Sequence, residues 1–89
     1  MIYDLVCKTI AQYNRYRSPE ATAKLVAVSC EMVTVAFSGS FCHSCGVEAY
    51  FEDFIYELKR LTDKVNLEIR EVRRESNGGF EVDYLFKPL

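Results

Sequence analysis

The stretch that decides the fold is residues 31–61, which read EMVTVAFSGSFCHSCGVEAYFEDFIYELKRL. Its first eight residues are rich in β-branched and apolar side chains and predict a strand. From residue 47 the apolar residues change to helical spacing, which predicts a helix over 47–61. The acids of that helix are expected to face water; they are Glu48, Glu52, Asp53 and Glu57. Between strand and helix the chain carries Cys42-His43-Ser44-Cys45, the one motif in it that points to chemistry.

The flanking sequence predicts four more elements. Apolar residues at three- and four-residue steps predict a helix over residues 2–17, which ends at Ser18-Pro19. Residues 22–29 predict a strand that pairs with 31–38 in a hairpin. A second hairpin is predicted over residues 65–86, with its turn at 76–79. Val72 breaks the alternation of the third strand, which indicates a bulge or an early end to regular pairing.

The element order is therefore helix, strand, strand, helix, strand, strand. We expect residues 1–89 to form a single α+β domain, a two-layer α/β sandwich with two helices on one face of a four-stranded sheet. Because the second helix connects strands two and three as a right-handed crossover, those two strands should run parallel. The predicted sheet is therefore mixed.

Composition and charge exclude several classes of protein. With 49% hydrophobic and 27% charged residues, the chain has the balance of a globular domain, not of a disordered one. A net charge of −2 makes nucleic acid an unlikely partner, and no apolar run is long enough to span a membrane. The first residues lack the basic and apolar stretches of a signal peptide, so we expect a cytoplasmic protein.

The predicted topology places the cysteine pair at one end of the sheet. Parallel strands two and three would both end there, beside the amino terminus of the second helix, where open α/β sheets bind ligands. The end of the first helix and the end of the third strand should bring a basic cluster to the same edge. Its members are Arg15, Arg17, Arg73 and Arg74.

Two further cysteines are predicted at the opposite end. Cys7 lies about 15 Å along the first helix, at ~1.5 Å per residue, and Cys30 lies in the first hairpin turn. The two residues are expected to be near each other. A buried, unpaired Cys7 is favoured over a Cys7–Cys30 disulfide in a reducing cytosol.

Two cysteines separated by two residues can converge on a metal or on each other. The amino terminus of a helix favours their thiolate forms, which bind metals or attack disulfides. Because zinc and four-iron clusters need four ligands, Cys42 and Cys45 would need His43, Glu48, solvent or a second chain to complete the site. A twofold homodimer would supply the cysteine pair twice. Inert thiols and a structural zinc site are the simpler alternatives.

The run from Val33 to Cys45 resembles the carboxy-terminal domain of NifU-type iron–sulfur scaffold proteins. Gly39, Cys42 and Cys45 match the family's motif, and the likeness covers about residues 2–75. The resemblance implies that the two cysteines hold a transient iron–sulfur cluster, commonly between two chains. The chain departs from the family in Phe41, in Gly46 where proline is usual, and in its fourth strand.

A weaker resemblance is to thioredoxin and glutaredoxin domains, which also place Cys-x-x-Cys between a strand and a helix. Those folds need a cis-proline that faces the cysteines and a further helix. The prolines here are Pro19 and Pro88, and residues 76–79 leave room only for a turn.

The leading hypothesis is a homodimeric carrier or scaffold, rather than an enzyme, that binds an iron–sulfur cluster or zinc through Cys42 and Cys45. A protein partner would receive the metal or electrons. One alternative is a dithiol–disulfide oxidoreductase, in which Cys42 attacks and Cys45 resolves. The other is an interaction module in which the cysteine pair only holds a turn.

Overall fold

The structure is a computed structural model that describes residues 2–40, 47–76 and 78–88. The observed elements are α1 (Ile2–Arg17), β1 (Thr22–Val28), β2 (Met32–Ser38), α2 (Val47–Leu61), β3 (Val65–Arg74) and β4 (Phe80–Pro88). The predicted α+β class and element order are confirmed. Within the described residues, neither helix is long and apolar enough to span a membrane.

The sheet has the strand order β1-β2-β4-β3 and is antiparallel throughout. Strands β2 and β3 do run in the same direction, but β4 lies between them, so the predicted mixed sheet is wrong in its pairing. The reason lies in the composition of the second hairpin. Phe80, Val82 and Tyr84 of β4 are buried and suit a central strand. Half of β3 is charged and suits an edge strand; those residues are Glu68, Arg70, Glu71, Arg73 and Arg74.

Each edge strand carries one extra residue. Val26 is unpaired between Leu25 and Ala27 of β1, and Arg70 is unpaired between Ile69 and Glu71 of β3. The bulge at Arg70 explains why Val72 breaks the alternation of the sequence. Bulges bend and twist a strand, and at sheet edges they reduce pairing with other chains.

Aromatic rings from both helices and from the two central strands form the core. Phe37 of β2 lies 5.5 Å from Tyr13 of α1 and 5.2 Å from Phe51 of α2, measured between ring centroids. Phe54 of α2 stacks on Tyr84 of β4 at 5.2 Å. Such pairs contribute about 0.5–1.5 kcal/mol each beyond the burial of their surface.

The two core tyrosines hydrogen bond to the same turn of α2. The Tyr13 hydroxyl donates to the carbonyl of Tyr50 at 3.0 Å, and the Tyr84 hydroxyl donates to the carbonyl of Phe51 at 2.8 Å. Burial raises the pKa of both hydroxyls above the ordinary value for tyrosine. The start of α2 is thereby attached to α1 on one side and to the sheet on the other.

Helix α1 is attached to the edge of β1 through Asn14. Its side-chain nitrogen donates to the carbonyl of Ala23 at 3.0 Å, and its side-chain oxygen accepts from the Ala23 amide at 2.7 Å. The side chain therefore satisfies one donor and one acceptor of an edge strand, as a neighbouring strand would.

The segment between α1 and β1 packs against the residue that follows β2. Gly39 has a φ of +127°, and a Cβ atom placed there would lie 2.2 Å from the backbone oxygen of Glu20. Glycine is therefore required at this position both for its backbone conformation and for the close approach.

Candidate functional site

The predicted cysteine site lies outside the described residues, since Cys42, His43 and Cys45 fall within 41–46. The described strands show where β2 and β3 end. Ser38 at the end of β2 pairs with Thr22 at the start of β1, and Phe80 at the start of β4 pairs with Arg74 at the end of β3. Strands β2 and β3 thus end at the same end of the sheet. The roles of Cys42, His43 and Cys45 as site residues stay predictions.

Glu48, the other candidate ligand, is exposed in the first turn of α2. The same helix also carries an acid that sequence reasoning assigned to water and that the structure buries. Glu57 is only 3% exposed, and its Oε2 accepts from Nη1 of Arg17 at 2.8 Å. Nε of Arg17 also lies 3.4 Å from Asp53 Oδ2, and its guanidinium lies 4.7 Å from the centre of the Tyr13 ring. Arg17 therefore joins the two helices.

Two of the other predicted basic residues lie against aromatic rings. The guanidinium carbon of Arg15 is 5.8 Å from the ring centre of Tyr16, and that of Arg74 is 5.2 Å from the ring centre of Phe80. These distances are within the range of cation–π attraction.

Arg73 lies in a polar network on the face of the sheet opposite the helices. Its Nη1 donates to Asp83 Oδ2 at 2.7 Å, and its Nη2 donates to Asp83 Oδ1 at 2.9 Å. The same guanidinium contacts Glu71 at 2.7 Å and Glu81 at 3.1 Å. Thr34 on the neighbouring strand donates to Asp83 Oδ1 at 2.7 Å. Arg17 and Arg73 thus belong to two different groups of ion pairs.

The hydrogen bonds of this network shift the pKa values of Asp83 and Arg73. The hydrogen bonds from Arg73, and then that from Thr34, lower the pKa of Asp83 to about 2 against the opposing effect of burial. The same carboxylates raise the pKa of Arg73. Asp83 and Thr34 are 9% and 7% exposed, although they lie on the face that the described helices leave uncovered.

A third group lies at the opposite end of the sheet. Cys7 and Cys30 are free cysteines, the first half-buried and the second exposed. A hydrogen bond with the Cys7 thiol is the largest cause of a raised pKa at Tyr3. Tyr3 and Cys30 also line one apolar pocket of about 450 Å³, together with Ile2, Val28 and Ser29. Tyr3 therefore contacts Cys7 on one side and shares a pocket with Cys30 on the other.

No cluster of three or more His, Cys, Asp or Glu side chains suitable for a metal ion occurs in residues 2–40, 47–76 and 78–88. The acids that do cluster around Arg73 are already neutralised in part by its guanidinium.

Comparisons with known proteins identify no family for this chain. No family model matches it, and no curated protein matches it. One similar solved structure is described as "Probing the function of heme distortion in the H-NOX family". The match has 14% sequence identity and a TM-score of 0.49, and it covers 99% of this chain and 48% of that chain. The chain thus spans about half the length of that protein, and a likeness of this size identifies neither a family nor a function.

These findings overturn three predictions. The resemblance to NifU-type scaffold domains is wrong, because no family model matches the chain. The iron–sulfur or zinc carrier function is also wrong: the described residues hold no metal cluster. The thioredoxin-like alternative fails on topology, since the described strands form a purely antiparallel sheet.

Sequence reasoning missed four residues whose side chains make specific polar contacts in the structure, which are Asn14, Thr34, Glu57 and Asp83. One signal was present for Asp83. Aspartate is unfavourable within strands, so an aspartate in the middle of an otherwise apolar and aromatic strand indicates a specific partner. Helical spacing alone gave no such signal for Glu57.

Proposed function

We propose that this domain is a non-catalytic association domain that forms a twofold dimer through the helix-free face of its sheet. That face is defined by the residues that alternate with the core residues. By the observed register they include Lys24, Ala27, Thr34, Ala36, Glu68, Glu71, Arg73, Glu81, Asp83, Leu85 and Lys87. The proposal concerns this face and not the cysteine segment.

The observation that carries the proposal is the uneven distribution of charge on the helix-free face. Glu71, Glu81 and Asp83 surround Arg73 on the β3–β4 half, where Glu68 also pairs with Lys87 and Arg70 reaches Met32. Four carboxylates against three cations leave this half a formal charge of −1. The β1 half carries the exposed ammonium of Lys24. A twofold axis that lies in the interface and runs parallel to the strands places the β1 half of each copy, with Lys24, over the acids of the other.

Apolar surface accompanies these charges. Val26 on the bulge of β1 is 49% exposed and lines a pocket of about 430 Å³ with Lys24 and Ala36. Interfaces combine such apolar patches with complementary charges that fix the register of the two partners.

The edges of the sheet are less suited to association. Asn14 occupies both backbone groups of Ala23 on β1. On β3, the side-chain oxygen of Asn66 accepts from the Leu67 amide at 2.8 Å, and the bulge at Arg70 interrupts the strand. Because side chains and bulges block edge pairing, the face is the better surface for a second copy.

The test is sedimentation velocity over a series of protein concentrations, with wild type and charge variants. We expect a monomer–dimer equilibrium that Lys24→Glu weakens by about tenfold, since the substitution creates two repulsive contacts per dimer. Lys24→Glu combined with Glu71→Lys exchanges the charges and should recover part of the affinity. Lys59→Glu on the exposed side of α2 is the matched control and should leave association unchanged.

Two results would contradict the proposal. One is a protein that stays monomeric at every concentration. The other is a dimer that responds equally to Lys24→Glu and Lys59→Glu, which would place the interface elsewhere.

We also propose that the domain works in the cytoplasm. The free thiols of Cys7 and Cys30 support this, because cysteines persist unpaired in reducing compartments. Cell fractionation, with alkylation of thiols before lysis, tests it: a protein recovered with both thiols oxidised would contradict the assignment.

A further inference from the structure

The two helices are joined at one end and leave a pocket at the other. Tyr13 and Arg17, near the end of α1, bond to Tyr50, Asp53 and Glu57 of α2. At the opposite end, the start of α1 and the end of α2 border a pocket of about 540 Å³, which the start of β3 completes. This volume lies in the range of small-molecule sites, which is roughly 300–1,000 Å³.

The inner surface of this pocket is apolar. Ile2 and Leu5 of α1 and Val65 of β3 line it, and each also packs against the core. Leu61, the last residue of α2, lines it as well and is 41% exposed. A large apolar side chain at a helix end that contacts little of the protein is suited to contact a ligand.

The rim of the pocket carries an excess of positive charge. Lys8 and Lys64 line it, with Asp4 as the single acid. Within the described part of the chain, none of these three side chains takes part in a salt bridge. The amino terminus of α1 and the carboxyl terminus of α2 both border the pocket, and their dipoles oppose each other. The two lysines therefore decide the sign of the local field.

We propose that this pocket binds a small amphipathic carboxylate, of the class of medium-chain alkyl carboxylates. The alkyl chain would lie on Ile2, Leu5, Leu61 and Val65, and the carboxylate between Lys8 and Lys64. Apolar contact supplies affinity, and the two ammonium groups select the anion. The site is on the helix side of the sheet, so it does not depend on dimer formation through the opposite face.

The test is a titration of the ¹⁵N-labelled protein with octanoate below its critical micelle concentration. Octanol and octylamine serve as neutral and cationic probes of the same chain length. We expect saturable shifts of the backbone amides of Leu5, Lys8, Leu61 and Val65, with octanoate binding more tightly than octanol and octylamine weakest.

Two variants separate the charge from the apolar surface. Lys8→Glu combined with Lys64→Glu should weaken octanoate binding by about tenfold and leave octanol binding nearly unchanged. Leu61→Ser should weaken both ligands, and since Leu61 is partly exposed the fold should tolerate it. Lys59→Glu is the control for a change of charge on α2 away from the pocket.

Three results would overturn the proposal: shifts that do not saturate, equal affinity for octanoate and octylamine, or a double lysine variant that binds octanoate like the wild type.

Discussion

The guanidinium of Arg73 binds both carboxylate oxygens of Asp83, at 2.7 and 2.9 Å, across the β3–β4 pair on the helix-free face of the sheet. Two parallel charged hydrogen bonds fix the orientation of both groups and are stronger than neutral ones. Thr34 donates the third hydrogen bond to the same carboxylate from β2. The contact thus connects three of the four strands through side chains, in addition to their backbone pairing.

The first prediction concerns acid. Because the folded pKa of Asp83 is about 2, below its ordinary value of 3.8, the carboxylate contributes stability above about pH 4. That contribution is lost as the pH falls from about 4 to about 2. Asp83→Asn should be less stable than wild type by about 1–3 kcal/mol at neutral pH, and the difference should shrink in acid. Urea unfolding at a series of pH values measures both.

The matched control for Asp83→Asn is Asp63→Asn, in the exposed segment before β3. A constant difference between Asp83→Asn and wild type from pH 7 to pH 2 would show that Arg73 does not stabilise the ionised carboxylate.

The second prediction concerns two glycines with positive φ. Gly39→Ala should destabilise the protein by more than about 2 kcal/mol, for two reasons. The new methyl group would clash with the Glu20 carbonyl, and alanine is unfavourable at the positive φ of this position. At Gly78 no described atom beyond its chain neighbours lies within 4 Å of an added Cβ, so Gly78→Ala should cost only the backbone contribution of about 1 kcal/mol. Thermal unfolding of the two variants checks the order, and equal costs would refute the close approach at Gly39.

The third prediction concerns Asn14. Asn14→Ala should cost about 1–3 kcal/mol, because it leaves the amide and carbonyl of Ala23 without this partner. Asn14→Asp retains the acceptor but replaces the donor with a second oxygen next to the Ala23 carbonyl, so it should cost at least as much. Chemical denaturation reports the stability, and hydrogen exchange of the Ala23 amide reports the contact itself. An exchange rate unaffected by Asn14→Ala would contradict it.

The fourth prediction concerns the buried acid on α2. Arg17→Met should cost about 2–4 kcal/mol, because it leaves the carboxylate of Glu57 buried without its cation. Arg17→Met combined with Glu57→Gln should regain part of that loss, since the amide carries no charge. Arg60→Met, on the exposed side of the same helix, is the control. Additive effects of Arg17→Met and Glu57→Gln in urea unfolding would exclude the coupling.

The local pattern of the sequence was sufficient for the secondary structure. The helix predicted over residues 47–61 is observed as Val47–Leu61, and the first helix ends at Arg17, directly before Ser18-Pro19. Periodicity of apolar residues reports which face of an element is buried, and that information is local. The change of alternation at Val72 likewise indicated the bulge, which lies two residues earlier, at Arg70.

The candidate site was less predictable from the same information. The cysteine motif drew the functional hypothesis to Cys42 and Cys45, whereas the polar contacts that the structure shows form through Arg17, Glu57, Arg73 and Asp83. Residues 17 and 57, or 34 and 83, are far apart along the chain. The local sequence around one member of each pair does not identify the other member.

The sequence by itself determined the type and order of the six elements and most of the apolar residues that face the core, since both follow from local periodicity. Only the tertiary structure decided that β4 lies between β2 and β3, which makes the sheet antiparallel. It also decided that Asp83 lies buried beneath Arg73, and that Glu57 is neutralised by Arg17 instead of facing water. The physical reason is that strand order and ion pairing depend on contacts between distant segments, whose free energy is set when the layers pack together.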